Sequence, residues 1–332
     1  MDNATRTWPP STGNRTSNPA PHSPRQKLLV RRRSRKNHAV GNEIVLGLDS
    51  VVVRLERERP VVLTVGSGGA PLLPAAPFDP SRDRTLELAA RRSIAEQAGI
   101  DVGYLEQLYT FGDRHRDPRE VAGGPRFVTV GYLALTGAAS AGNADAGWRD
   151  WYDFFPWEDR RSGLPRVLGD DIVPLVRTWM RDGERRLRAT AAFGLDDAPW
   201  NDEAVLERYE ILYEIGAVGE APHASHAVGR SMGLDHRRIL ATAIGRLRGK
   251  IKYRPVIFEL LNETFTLWEL QRAVEALAGT RLHKPNFRRL VEESRIVVGT
   301  GDRIPTSGRP AETYRFRPEI IAERPDPGIA IR

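Results

Sequence analysis

The chain has 332 residues, too many for one ordinary domain and enough for two folded ones. Its 40% hydrophobic content supports a buried core, and its zero cysteines exclude disulfides, zinc–thiolate sites, iron–sulfur ligation and thiol nucleophiles. No run approaches the roughly 18 apolar residues of a membrane-spanning helix. Leu28-Leu29-Val30 is too short for a secretory apolar core, so a cytoplasmic protein without membrane attachment is expected.

The formal charge of +7 is unevenly spread: +8 over residues 1–40, −7 over 41–245 and +7 over 246–317. Basic segments on either side of an acidic body point to nucleic acid, because neutralising phosphates releases counterions. Solubility is the bland reading of the same charges.

Residues 1–40 are rich in Pro, Ser, Thr, Asn and Arg, a composition that cannot offset its ordering entropy by burial. They read as a disordered basic arm. Its run Arg31–Lys36 is either a nonspecific phosphate contact or a solvated tail. From Glu43 the pattern changes. Ile44–Leu46, Val51–Leu55 and Val61–Val65 read as strands. Gly66-Ser67-Gly68-Gly69 lacks the Gly-Lys-Ser/Thr ending of a phosphate loop and reads as a hairpin turn. A helix over 85–98 carries Leu86, Ala89, Ala90 and Ile94 at helical spacing, and Gly99 closes it. Strands at Leu105–Phe111 and Arg126–Leu135 flank the charged loop Gly112–Pro125, and Gly137–Gly147 reads as a small-residue linker.

Residues 170–250 read mostly as helix, at Ile172–Glu184, Asp202–Ile215 and Asp235–Leu247, with Asp202 and Asp235 as N-caps. Pro255 opens a short helix through Leu261. Thr266 followed by Glu269 is a capping-box pattern, and Leu267, Leu270, Val274 and Leu277 share one face of the helix it starts. A third helix, about 285–293, points Phe287, Leu290 and Val291 inward and Arg289 outward, with Asn286 and Arg288 on its flanks. Ile296–Val298 and Thr313–Phe316 then bracket a loop rich in Gly, Pro and Arg. Three short helices and a hairpin outline a winged helix.

The helix at 85–98 resembles the closing half of a Nudix signature, in Arg92-Ser93-Ile94-Ala95-Glu96-Gln97-Ala98-Gly99-Ile100. Arg92, Ile94, Glu96, Gly99 and Ile100 match. Ser93 and Gln97 stand where two metal-binding glutamates belong. Phe78 and Arg84 fall on the opening Gly and the earlier Glu of that pattern. A lone Glu96 cannot hold the Mg²⁺ that diphosphate hydrolysis needs, so no metal, cofactor or enzymatic activity is expected. A chance match on an ordinary amphipathic helix is the alternative.

Further segments carry a more specific resemblance. Tyr109–Pro118 with Val128–Leu135, Asp235–Leu240, Arg246–Tyr253, Phe265–Gln271, Lys284–Arg289 and Gly308–Phe316 are similar to the Nudix-related transcriptional regulators of NAD metabolism. The likeness spans roughly 44–317. The damaged box is closer to the NadQ-like branch than to NrtR-like members with fuller boxes. The resemblance implies an α/β (α+β) chain: a Nudix-like α/β/α sandwich over 44–160, a helical connector or dimerisation segment over 170–250, a winged helix-turn-helix over 251–318 and a tail at 319–332. It further implies a homodimeric, nucleoid-associated repressor on a palindromic duplex operator of NAD biosynthesis or salvage genes. Its effector would be an NAD-related metabolite such as ADP-ribose.

Under that resemblance Asn286, Arg288 and Arg289 face the major groove, where arginine pairs with guanine and asparagine with adenine, or else contact only phosphate. Lys284 reaches phosphate, and Thr266 adds an amide–phosphate contact. Arg303 and Arg309 on the wing reach minor groove or backbone, unless Arg309 braces the hairpin. Arg114, Arg116 and Arg126 counter a diphosphate. Phe78 or Phe111 stacks on adenine, with a core position favoured for Phe111, and Asp113 and Asp117 bind ribose hydroxyls or pair with neighbouring arginines. His223 and His226 have metal-like spacing without a third ligand. A diverged hydrolase would instead need carboxylates such as Asp79, Asp83, Glu87 or Glu106. An RNA-binding adaptor using the basic arm is a third reading.

Overall fold

β1 (Ile44–Glu56) is one continuous strand where two short ones were expected. The polar Asp49-Ser50 interruption does not break it, because β5 (Arg126–Leu135) pairs in parallel with it from Ile44 to Val53. A computed structural model describes residues 43–66, 69–137, 146–306 and 308–329. The expected basic arm lies outside them, as do Ser67 and Gly68 of the glycine turn, residues 138–145 of the linker and the end of the tail.

Arg57 and Glu58, both at positive φ, turn β1 into the antiparallel β2 (Arg59–Val65). β3 (Ala75–Pro77) pairs with β1 over Gly47–Asp49, β4 (Tyr104–Phe111) with β5, and β6 (Ala146–Asp150) with β2. The sheet order is β4-β5-β1-β2-β6, with β3 beside β1.

The period of two sorts side chains between the faces. Leu48, Val52, Val130 and Ala134 meet α1 (Leu86–Ala98) through Ala89, Ala90, Ile94 and Ala98. Thr85 caps α1, accepting from the Leu88 N–H, and Gly99 ends it at φ 67. The opposite face, with Val51, Val53, Leu133 and Leu135, packs on α7 (His236–Ile251) through Ile239, Ala243 and Ile244. A short helix, α2 (Pro118–Val121), interrupts the loop between β4 and β5. The sheet is thus sandwiched between helices.

In chain order, β6 is followed by α3 (Trp151–Phe154), a π-helical turn Val167–Ile172 running into α4 (Val173–Trp179), α5 (Gly183–Phe193) and α6 (Val205–Ile215), before α7. The helix expected over 172–184 ends early, because Asp182 accepts from the Arg185 N–H and starts α5 afresh. Two expected caps are also corrected. Ala204 occupies the N-cap of α6, and Asp235, although at the N-cap of α7, makes no capping hydrogen bond. Its carboxylate is engaged elsewhere.

The C-terminal unit is a 3-10 turn (Val256–Leu260), β7 (Thr264–Thr266), α8 (Leu267–Ala278), α9 (Lys284–Ser294), β8 (Val297–Ile304), β9 (Ala311–Phe316) and α10 (Ile320–Glu323). The order β7-β9-β8 forms its three-stranded sheet. Phe265, Leu270, Leu277, Phe287 and Val291 belong to the same hydrophobic cluster as the α7-facing side of the main sheet. Buried Glu158 sits at this junction. It accepts from Arg208 at 2.5 and 2.9 Å and from Arg248 at 2.5 Å. Burial alone would push its carboxyl up, but the two guanidiniums hold it below the usual range. No helix among the described residues is long and apolar enough to cross a membrane.

Candidate ligand cavity and nucleic-acid interface

A cavity of about 370 Å³ opens on the α7 side of the sheet, at the start of β1. Its wall is made by Gly47 and Asp49 of β1, Phe127 and Thr129 of β5, Arg116 and Asp117 before α2, and Asp235 and His236 at the head of α7. Arg116 donates through Nε and Nη2 to the two oxygens of Asp235, both at 2.8 Å, and lies 3.8 Å from Asp49. Arg119 donates to both oxygens of Asp117 and stacks 3.8 Å from the Phe127 ring centre. Its hydrogen bonds hold the Asp117 carboxyl below the usual range.

His236 accepts from the Leu73 N–H through Nδ1 at 2.8 Å, which leaves the proton on Nε2, 3.7 Å from Asp49. Burial pushes Asp49 up to about 7 and His236 down to about 4. Both are therefore neutral in mildly acidic solution. The cavity combines hydrogen-bond acceptors, two paired guanidiniums and an aromatic wall, which suits a hydroxyl-rich ligand with an anionic group.

Of the residues expected to bind ligand, only Arg116 and Asp117 meet here. Phe78 packs beside Leu48 and Ala89 on the α1 side of the sheet. Arg126 donates to the Gly112 carbonyl at 2.6 Å, bracing the ends of β4 and β5. Arg114 is exposed, and Phe111 is buried in the main core. Of these four only Phe111 comes near Arg116, whose guanidinium lies 5.8 Å from its ring centre. Asp49, Arg119, Phe127, Asp235 and His236 were missed. The readable signal was an aspartate in the middle of an otherwise apolar strand.

The degenerate box forms a closed network. Ser93 is buried and accepts from Gln97 Nε2 at 2.7 Å, and the same amide donates to the Ala75 carbonyl at 2.9 Å. Arg92 grips Asp83 with two hydrogen bonds and reaches Glu96 at 3.0 Å, while Arg82 holds the other oxygen of Glu96. The Arg82 and Arg92 hydrogen bonds keep the Glu96 carboxyl below the usual range. Among the other carboxylates, Asp79 accepts from Ser81, Glu87 pairs with Arg91, and Glu106 pairs with Lys250 against α7. No group of three His, Asp or Glu side chains able to hold a metal occurs among the described residues.

In the C-terminal unit the capping box is formed as expected. Thr266 Oγ1 accepts from the Glu269 N–H at 3.1 Å, and Glu269 accepts from the Thr266 N–H at 2.7 Å. Thr266 is buried, and its amide and hydroxyl are both occupied by Glu269. α9 exposes Lys284, Asn286, Arg288 and Arg289 while Phe287 and Val291 turn inward. Its last turn carries Glu292 and Glu293, the latter 3.9 Å from Arg289. Arg303 on β8 and Arg309 in the following turn are exposed. The Arg309 carbonyl accepts from Thr306 at 2.9 Å, so the turn is braced through backbone and the guanidinium is left outside.

A mixed sheet between helices, continuous with a winged helix whose second long helix presents cations, defines a Nudix-like fold joined to a winged-helix unit. Residues 257–316 match the family described as the NrtR DNA-binding winged helix domain. The chain is 27% identical over 244 residues to the ADPR responsive transcriptional repressor NtrR of Acinetobacter baylyi, covering 74% of this chain and 68% of that one. Its fold is similar to that of Shewanella oneidensis NrtR complexed with a 27mer DNA, with 23% identity, a TM-score of 0.52, and 83% and 95% of the two chains covered. It is also similar to a MutT/nudix family protein from Enterococcus faecalis, with 19% identity, a TM-score of 0.50 and coverage of 83% and 87%. The chain thus carries an NrtR winged helix on a Nudix fold, as its sequence motifs implied.

Proposed function

We propose that this chain is a transcriptional repressor that binds duplex DNA through α9 and the β8–β9 wing, and that an NAD-related metabolite, ADP-ribose first among them, controls it. The observation that carries this reading is the winged helix itself: an NrtR-type domain with its cations exposed on α9, sharing one core with the Nudix-like unit. In this reading Asn286, Arg288 and Arg289 contact base edges, and Lys284, Arg303 and Arg309 contact backbone. Arg116 and Asp117 hold the effector. The protein works as a homodimer on a palindromic operator near genes of NAD biosynthesis or salvage, in the nucleoid.

The same reading makes the Nudix-like unit a binding domain without catalysis. The neutral Ser93–Gln97 pair and the arginine-bound Glu96 and Asp83 leave the α1 face without a set of carboxylates for Mg²⁺. Ligand binding changes DNA affinity only to the extent that it favours one arrangement of the winged helices over another.

The test is binding of the full chain to its own upstream intergenic duplex, against scrambled duplex at a stated salt concentration, with and without ADP-ribose. Selective binding that shifts with the metabolite supports the reading. Loss of all sequence preference removes it, and Mg²⁺-dependent turnover of ADP-ribose restores the hydrolase alternative.

A further inference from the structure

A second cavity, of about 630 Å³, lies against the first. It is bounded by Tyr209 and Tyr213 of α6, Met232, Arg238 of α7, and Val121 of α2. Arg116, Leu234 and Asp235 line both cavities. The partition between them is therefore a side-chain ion pair, with an exposed fraction of 6% at Arg116 and 13% at Asp235. Leu234 stands beside it at φ 56, a conformation that a branched side chain rarely adopts.

The two chambers differ in chemistry. The first is lined by Asp49, Asp117 and Asp235, acceptors for hydroxyl groups. The second has the half-buried Tyr213 ring on its wall, with the Arg238 guanidinium 5.1 Å from the ring centre, a surface for a flat base, while Tyr209 behind it is buried. The one cation common to both is Arg116. Its present partner, Asp235, occupies the N-cap position of α7 without capping it. Aspartate is among the best residues for that task, and the first turn of a helix favours a negative charge. Once released from Arg116, Asp235 has a stable alternative at its own helix terminus.

We infer that the two cavities are one ligand site divided by the Arg116–Asp235 pair, and that a two-part ligand joined by an anionic linker fills both by taking Arg116 from Asp235. This rests on the sensor reading above and adds to it how the ligand is divided: a hydroxyl-rich sugar in the first chamber, a diphosphate at the divide, and a base in the second. It also makes the exchange at Asp235 the event that reports occupancy to α7.

The experiment is calorimetric titration of the full chain with ADP-ribose, in the wild type and in three variants. Asp235→Asn keeps a capping residue but weakens the competitor for Arg116. It is expected to tighten ADP-ribose about tenfold, whereas a residue that only braces the wall would weaken or leave binding when neutralised. Tyr213→Ala is expected to weaken ADP-ribose about tenfold while leaving ribose 5-phosphate unchanged. Val121→Asp, on an exposed position of the second chamber, repeats that test without touching the core. If ADP-ribose binds the wild type but both second-chamber variants leave its affinity unchanged, or Asp235→Asn weakens it, the two-chamber assignment is wrong and the sensor reading stands. If ADP-ribose does not bind the wild type, the sensor reading falls and this assignment with it.

Discussion

Arg248 on α7 donates through Nε to the Leu277 carbonyl, 2.9 Å away in the last turn of α8. The same guanidinium reaches Glu158, so one buried side chain joins the Nudix-like unit to the winged helix. Two neighbours complete the attachment. Tyr152 donates to the Ala276 carbonyl at 2.7 Å, and the Arg160 N–H donates to the Gly279 carbonyl at 2.7 Å. The carbonyls that an α-helix leaves unpaired at its C-terminus are thus satisfied by the other domain. Arg248→Leu strips Glu158 of one partner and leaves the Leu277 carbonyl unpaired. Urea unfolding should show a loss of about 3–5 kcal/mol. A loss below about 1 kcal/mol would mean that the attachment does not depend on this residue.

Asp49 and His236 give opposite responses to pH. Asp49, raised to about 7 by burial, keeps its proton in the folded chain where an unfolded aspartate has lost it. Its contribution is complete below about 3.8 and is lost as pH rises to about 7. His236, lowered to about 4 by burial, is neutral in the folded chain where an unfolded histidine is charged, so stability grows as pH rises from about 4 to 6.5. The two slopes nearly cancel. Asp49→Asn should make stability climb by about 3 kcal/mol across that window, and His236→Asn should make it fall by about as much. Equilibrium unfolding at several pH values reads both, and parallel profiles for the two variants would refute the assignment.

Gln97 holds α1 to β3 by one donated and one accepted backbone bond. Restoring the box glutamate by Gln97→Glu removes the donor to the Ala75 carbonyl and places a carboxylate against it. A loss of about 1–3 kcal/mol is expected in thermal or urea unfolding. Wild-type stability in this variant would show that the amide network is dispensable.

On α9, Arg289→Ala should cost about 1–3 kcal/mol of operator affinity and relax the preference at one base pair. Lys284→Ala should weaken all duplexes alike and reduce the slope of log K against log salt by about one. Competition binding across single-base operator variants separates the two. Identical behaviour of the variants would remove the base-reading role from Arg289.

The winged helix was legible because its signals are local. The capping box at Thr266 and the α8 stripe from Leu267 to Leu277 belong to one helix, and the inward Phe287 and Val291 lie one turn apart on the next. The cavity was not, because Asp49, Arg116 and Asp235 come from three distant segments that only the fold brings together. The same distance hid the buried arginines. Arg208, Arg237 and Arg248 look like solvated helix charges in sequence, yet each is covered and paired, with Glu158 or Glu220. Asp235 misled for a related reason: its position predicts a cap, but a bidentate arginine competes more strongly for its carboxylate than first-turn amides do.

The unequal ends of α9 have a directional consequence. Lys284, Arg288 and Arg289 lie in its first two turns, and Glu292 and Glu293 in its last. Against a phosphate-lined groove the leading end is drawn in, with the positive pole of the peptide dipoles behind it, while the trailing carboxylates are pushed away. In the proposed DNA-binding reading this polarity favours entry of the helix head first over a reversed one, and so biases which way the winged helix points along the duplex before any base is read.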